Sequence, residues 1–266
     1  MEPLVNTAPR PFGTLTITGM STHWTYAFVD RPVPRFAQAC DFWTAVTGSR
    51  LSEFRGERRE FVTLEPSDGA DACVKAQAVA SGPGGAHLDF CVDDVRKFAR
   101  AAQALGAHVV ADQGTLVVLR SPAGQLFCAD PWRGQSARPP VFRGSRLDQV
   151  CQDVPPSLFD AEVAFWTALL PDWESRSGSL PEFHVLVPPP GLPVRILLQR
   201  LDEERPAGAH LDLACADIGA TRAEHERLGA EFVAEGRSWT VMRDPAGGLY
   251  CLTGRDPETG GPPSAS

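Results

Sequence analysis

Short runs of alternating apolar and polar residues, each followed by a stretch of helical spacing, organise most of this chain. The run His87-Leu-Asp-Phe-Cys-Val puts Leu88, Phe90 and Val92 on one face of a strand and His87, Asp89 and Cys91 on the other. Asp94 then stands as a helix N-cap, and Val95, Phe98, Ala102 and Leu105 repeat at helical spacing until Gly106 stops the helix. After the helix, the strands Thr115 to Arg120 and Gln125 to Ala129 flank Ser121-Pro-Ala-Gly, whose residue order is that of a type I turn. Glu60 to Leu64 and Ala72 to Val79 read as further strands, as do Glu182 to Val187 and Val194 to Leu201. The predicted unit is one strand, one helix and about three strands.

The pattern is duplicated. His87-Leu-Asp returns as His210-Leu-Asp, 123 residues on. Leu-Gly-Ala recurs at 105–107 and 228–230, Pro-Ala-Gly at 122–124 and 245–247, and Phe42-Trp-Thr as Phe165-Trp-Thr. Two domains follow, residues 21–132 and 144–255, joined by a linker over 133–143 that contains Gly134, Ser136, Pro139 and Pro140. Residues 1–20 read as a flexible N-terminal segment, with a short strand allowed at Thr14 to Thr18, and 256–266 as a disordered tail. A finer period lies within each copy. His23 and Asp30 are spaced as His87 and Asp94 are, and Arg146 and Asp153 as His210 and Asp217, so the strand, helix and three-strand unit is expected four times. Asp30 and Asp153 precede Pro-containing helix starts and read as structural residues.

Composition narrows the class. A formal net charge of -8 argues against a sequence-independent hold on nucleic acid, and the Arg55 to Arg59 cluster is short and broken by Glu57. No apolar run reaches the length of a membrane span, and Glu2 and Pro3 do not open a secretory signal, so the expected location is cytoplasmic. Seven cysteines without a short Cys-x-x-Cys spacing predict reduced thiols. Gly82-Pro-Gly-Gly reads as a connecting loop, because no Lys-Ser or Lys-Thr follows it. Trp43 and Trp166, on the first helix of each copy, read as core residues.

The fourfold unit, with His-Leu-Asp-[Phe/Leu], Leu-Gly-Ala and Pro-Ala-Gly-x-Leu-[Phe/Tyr]-Cys, resembles the vicinal-oxygen-chelate superfamily, closest to its glyoxalase-like and bleomycin-resistance-like branch. The resemblance implies an α+β fold of tandem glyoxalase-like domains, four βαβββ modules forming two half-open barrels. It also implies ligands on the first and last strands of each module, pointing into the clefts. In the first copy these positions fall on His23, Gln77, His87 and Cys128, which could hold a divalent metal (Zn, Fe or Ni), although the Glu usual at two of the places is missing. In the second they fall on Arg146, Gln199, His210 and Cys251, and an Arg stays protonated and cannot be a ligand. Arg146 could instead neutralise Asp212 or Asp148, or receive an anionic ligand.

Asp89 and Asp212 complete the cleft candidates. Each shares a strand face with the preceding His at an ideal spacing of about 7 Å, which predicts that it does not orient that His directly. Cys128 and Cys251 have two readings, as small fillers or as thiolates that need a positive neighbour. Trp239, whose counterpart is Leu116, predicts that the two pockets differ in what they accept. Three functional readings stand open. One is a metal-poor binding protein or noncanonical enzyme for a small, partly apolar organic molecule. Another is a metal-dependent lyase, isomerase or dioxygenase active in the first domain only, and the third is a structural pseudo-enzyme. The expected partner is a small molecule rather than nucleic acid or membrane, with the chain a monomer or homodimer.

Overall fold

The structure, a computed structural model, describes residues 21–262, and within them each copy folds as two successive βαβββ modules. The first module runs β1 (Thr22–Pro32), α1 (Phe36–Thr47), β2 (Ser49–Leu51), β3 (Phe61–Pro66) and β4 (Val74–Val79). The second runs β5 (Gly85–Val92), α2 (Val95–Ala104), β6 (His108–Asp112), β7 (Val117–Arg120) and β8 (Leu126–Pro131). The other copy repeats this as β9 (Ser145–Val154), α3 (Phe159–Leu169), β10 (Glu174–Ser177), β11 (Phe183–Val187) and β12 (Arg195–Arg200). It then continues with β13 (Gly208–Cys215), α4 (Ile218–Arg227), β14 (Glu231–Glu235), β15 (Trp239–Arg243) and β16 (Leu249–Thr253). The two open eight-stranded sheets have the orders β2-β3-β4-β1-β5-β8-β7-β6 and β10-β11-β12-β9-β13-β16-β15-β14, so each half-barrel is α+β as expected. The expected strand at Thr14 to Thr18 and flexible segment 1–20 lie outside the described residues, as do residues 263–266.

Local signals explain the joints. Asp94 caps α2 by accepting from Lys97 N at 2.8 Å, and Asp217 caps α4 by accepting from Ala220 N at 2.9 Å. Asp30 and Asp153 do not cap helices; both lie inside strands, and α1 and α3 begin after short 3-10 turns at Val33–Arg35 and Pro156–Leu158. The linker is bonded along the first domain: Asp71 Oδ2 accepts from Ser136 N and Ala137 N at 2.7 and 2.8 Å, and Gln135 Nε2 donates to the Tyr26 hydroxyl at 3.0 Å. The expectation of a disordered tail from 256 is corrected for the described part. Asp256 Oδ1 accepts from Glu258 N and Thr259 N, and the Arg255 guanidinium donates to Gly260 O, so these residues form a closed turn. Among the described residues no helix is long and apolar enough to cross a membrane.

The alternation builds one continuous core. Leu88, Phe90 and Phe127 of the first sheet and Leu211, Leu213 and Tyr250 of the second all turn inward to it. The first helix of each copy is seated on the other copy. Trp166 of α3 packs on Phe90 and Phe127 with ring centroids 5.6 and 5.0 Å apart, and Trp43 of α1 packs on Tyr250 at 5.4 Å. Both indoles are core residues as expected, and both find acceptors for their N–H: Trp43 donates to Asp244 and Trp166 to Glu162 and Gln152.

One buried pair differs between the copies. His225 Nδ1 lies 2.9 Å from the Tyr250 hydroxyl, where the first copy has Ala102 and Phe127. Burial lowers the His225 imidazole from its ordinary 6.5 to about 4. Its neutral form is the folded form, so the stability it contributes is present above pH 6.5 and is lost as the pH falls through 6.5 towards 4. The loss is on the order of 3 kcal/mol. Urea titrations at neutral pH and near pH 4.5 should show a smaller acid-induced loss in the double variant His225→Ala, Tyr250→Phe, which carries the first copy's pair; equal losses would contradict this.

Candidate functional site

Strand register decides which side chains face each cleft. Apolar Ala27, Val29, Leu88 and Phe90 point to the core, so Tyr26, Phe28 and Asp30 of β1 and His87, Asp89 and Cys91 of β5 share the concave face. Parallel pairing adds Lys75 and Gln77 of β4, opposite Phe28 and Asp30, and Cys128 of β8, opposite Asp89. The second sheet has Gln149, Cys151 and Asp153 on β9, Arg195, Leu197 and Gln199 on β12, His210 and Asp212 on β13, and Cys251 on β16.

A histidine, an aspartate and a cysteine converge in each cleft. Ligand atoms of His87, Asp89 and Cys128 lie within 4.8 Å of one another, and so do those of His210, Asp212 and Cys251. His87 Nδ1 donates to Asp30 Oδ2 at 2.6 Å, its Nε2 is 3.8 Å from Asp89 Oδ1, and its ring stacks on Phe28 at 4.1 Å. His210 Nδ1 is 3.5 Å from Asp153 Oδ2 and its Nε2 is 3.4 Å from Asp212 Oδ1. Each His is therefore held between two carboxylates. Asp89 and Asp212 come nearer to the imidazoles than the ideal strand spacing of about 7 Å, yet neither hydrogen-bonds its His.

These contacts set the protonation states. Burial works against a charge on His87, but the Asp30 carboxylate outweighs it and holds the imidazole above its usual range. Burial opposes the charge on His210 too, but the Asp153 and Asp212 carboxylates at 3.5 and 3.4 Å favour it, and the net direction is upward. Burial raises Asp212, against the pull of His210 and a 2.6 Å hydrogen bond from Gln149 Nε2. The Cys251 thiol is pushed up to about 11 and Cys151 to about 12, chiefly by burial, so neither is a thiolate at neutral pH.

The two clefts differ in what fills them. In the first, the Lys75 ammonium sits 3.8 Å over the Tyr26 ring and 5.3 Å from that of Phe28, 3.3 Å from Asp89 and 3.8 Å from Asp130. The second has Leu197, Gln149 and Cys151 in the places of Lys75, Tyr26 and Phe28. There a cavity of about 550 Å³ opens over His210, Asp212 and Cys251, walled by Phe183, Val185, Leu197 and Trp239 and edged by Arg176, Arg195 and Arg255. The turn at Thr259 to Pro262 completes its rim.

Of the residues named from sequence, His87, Asp89 and Cys128 are brought together, as are His210, Asp212 and Cys251, and Gln199 lines the cavity. Gln77 shares the first concave face beside Asp30. His23 is not brought to His87: it lies at a bulge at the start of β1, stacks on Trp132 at 4.5 Å and bonds Asp93 at 2.7 Å. The expected ligand set of His23, Gln77, His87 and Cys128 is thus not assembled. Arg146 is also outside its cleft, donating to Pro139 O at 3.2 Å and pairing with Glu258 at 3.4 Å, while Asp212 bonds Gln149 and Asp148 pairs with Arg195 and Arg255. Sequence reasoning missed Asp30, Asp153, Lys75, Arg195 and Arg255. The shared Asp at 30 and 153 was a visible signal; the cations become part of a site only through strand register.

The donor set fits a divalent metal. Oδ1 of Asp212, like that of Asp89, is buried and accepts no hydrogen bond among the described residues, and it lies beside an imidazole nitrogen and a sulfur. Imidazole, carboxylate and thiolate together suit a borderline ion, which would have to displace the raised protons.

Residues 26–129 and 149–253 each match the family model described as a glyoxalase-like domain. Among solved structures, the chain is similar to an Mn(II)-bound glyoxalase from Novosphingobium aromaticivorans, with 16% identity over 86% of this chain and 80% of that one and a TM-score of 0.61. It is also similar to the 2,2',3-trihydroxybiphenyl 1,2-dioxygenase of Sphingomonas wittichii, with 13% identity over 86% and 88% of the two chains and a TM-score of 0.58. A variant 4-hydroxymandelate synthase from Streptomyces coelicolor gives 13% identity over 86% and 91%, with a TM-score of 0.56. No curated protein sequence matches significantly.

Proposed function

The chain belongs to the glyoxalase-like domain family, in two copies, and on that premise we propose that its second domain takes a small, partly apolar organic molecule into the cleft over His210, Asp212 and Cys251. One observation carries this reading. The same His-Asp-Cys set occurs in both sheets, and the 550 Å³ cavity lies over the second, where Leu197 stands in place of Lys75. The first domain then serves as the closed structural half, holding α3 and the shared core. Of the readings open from the sequence, this one keeps the small-molecule cleft and differs from the metal-dependent alternative, which placed activity in the first domain only.

His210, kept protonated between Asp153 and Asp212, can donate a proton or hydrogen bond to a ligand oxygen at the cleft floor, and Asp212, raised by burial, can take one. Gln149 fixes Asp212 Oδ2 and leaves Oδ1 beside His210 Nε2 with no hydrogen bond among the described residues. Phe183, Val185, Leu197 and Trp239 give the middle of the cleft an apolar lining. The protein is thereby read as a binding protein or as an enzyme of proton-transfer type. The unsatisfied Asp212 Oδ1 favours a second reading, with a divalent metal held by His210, Asp212 and Cys251. Such an ion supplies Lewis-acid polarisation of a bound oxygen when present, as a lyase or dioxygenase would use. Cytoplasmic residence and a monomeric or dimeric state belong to the same proposal.

His210→Ala and His87→Ala separate the halves. Metal content and binding of a fragment library, followed by ligand-observed NMR, should be lost in His210→Ala and retained in His87→Ala. Loss in His87→Ala with retention in His210→Ala would return the function to the first domain.

A further inference from the structure

The second cleft has two electrical ends. At its floor, His210 lies between Asp153 and Asp212. At the other end, buried Asp148 of β9 takes Arg195 Nη2 at 3.1 Å and Arg255 Nε at 3.0 Å, with Arg138 Nη2 at 4.0 Å from the linker. Three guanidinium groups thus share one carboxylate. Arg176, on the neighbouring wall, adds a fourth cation whose own partner, Glu174, is exposed. A guanidinium cannot shed its proton to relieve the crowding. Burial weakens Arg195's hold on its charge, Asp148 strengthens it, and Arg255, Arg138 and Arg176 weaken it again.

Charge left over at a buried cluster calls for a counter-charge, and the floor cannot supply it. Asp212 and Asp153 are engaged with Gln149 and His210. The opening available to the excess is the cavity that Arg176, Arg195 and Arg255 line. Between the two ends the wall is apolar and aromatic, with Trp239 edge-on to Phe183 at 5.8 Å. We infer that the ligand of this cleft is an organic anion, a carboxylate or phosphate ester on an apolar or aromatic body, with its charge at Arg195 and Arg255 and its other polar end at His210. The assignment rests on the reading of the second cleft as the ligand site. Arg146, which the sequence nominated for an anion, has no part in it. The counterparts of Gln149 and Arg195 in the first copy are Tyr26 and Cys73, so that cleft has no matching cationic wall.

Matched ligand pairs test it on the full chain. Benzoate, phenylacetate and indole-3-acetate, each with its primary amide, and phenyl phosphate with benzyl alcohol, are titrated calorimetrically at low and high salt. The anions should bind tighter than their neutral partners by roughly tenfold or more, with the margin shrinking at high salt. Arg255→Gln should remove the margin without weakening the neutral compounds. Arg176→Gln, at an exposed side chain that folding does not need, should reduce it. Carboxylate or phosphate preference in the wild type identifies which anion is taken. Equal binding of charged and neutral partners overturns the anion assignment and leaves the cleft a ligand site. Failure of every compound to bind overturns the cleft reading as well.

Discussion

Replacing Asp244 with Ser should cost the protein about 3–5 kcal/mol of stability, because it strands a buried arginine between the domains. Arg31 and Asp244 are 2% and 0% exposed at their side chains, with Arg31 Nε and Nη2 at 2.8 and 2.7 Å from Asp244 Oδ2. The same oxygen accepts from Trp43 Nε1, while Oδ1 accepts from Ala246 N and Gly248 N and so shapes the turn. Arg31 Nη1 donates on to Asp30 O and Gly85 O, which ties the turn to the start of β5. Gly248 must be glycine here, since a Cβ would fall 2.0 Å from the Arg31 guanidinium carbon. The opposite joint solves the same problem differently. There the turn begins with Ser121, and the carboxylate comes from Glu162 of α3, which accepts from Ala123 N and Trp166 Nε1. The positions matching Glu162 and Arg31 across the duplication are Ala39 and Val154. The triple variant Asp244→Ser, Ala39→Glu, Arg31→Val rebuilds that second solution and should regain most of the loss. Urea denaturation at neutral pH measures both; a loss under about 1 kcal/mol in Asp244→Ser would mean that apolar packing alone holds the domains together.

What the sequence disclosed and what it hid follow from the range of the interactions. Alternation within β5, the Asp94 cap and the Pro-Ala-Gly turns are local, and the duplication repeats them, so the four modules could be read directly. His87, Asp89 and Cys128, with their second copies, were legible because strand alternation puts the first two on one face and the repeated turn places the third. The spacing shared by His23–Asp30 and His87–Asp94 led elsewhere. It aligns residues by distance along the chain, whereas the antiparallel pairing of β1 with β5 sets Phe28 opposite His87 and a bulge turns His23 away. Lys75 and Leu197 look like an ordinary surface difference until the register brings each to its Asp. Likewise, nothing local marks Arg31 and Asp244 as partners across 213 residues.

Leu197→Lys should close the second cleft and weaken ligand binding by about a hundredfold or more while leaving the His210 set intact. The first domain has carried out this experiment already. Its Lys75 lies 14% exposed among Tyr26, Phe28 and the carboxylates of Asp89 and Asp130, on the concave face beside the His87 set. A lysine at 197 starts from the matching strand position, and Asp212, with Oδ1 free of hydrogen bonds among the described residues, supplies its partner. The pairing gives the ammonium a reason to stay in place, since the Asp212 carboxylate is buried and attracts a second cation beside His210. Leu197→Met, of similar length without the charge, should leave binding within a fewfold of wild type and so separates charge from bulk. The reciprocal Lys75→Leu removes the ammonium from Asp89, while Asp130 keeps Arg133 at 3.2 Å, so it should destabilise the fold, and Asp89→Asn in the same chain should restore part of the loss. Calorimetric titration with the tightest-binding anion and urea denaturation read the two effects independently. Undiminished binding in Leu197→Lys would show that ligand enters elsewhere than over His210 and Asp212.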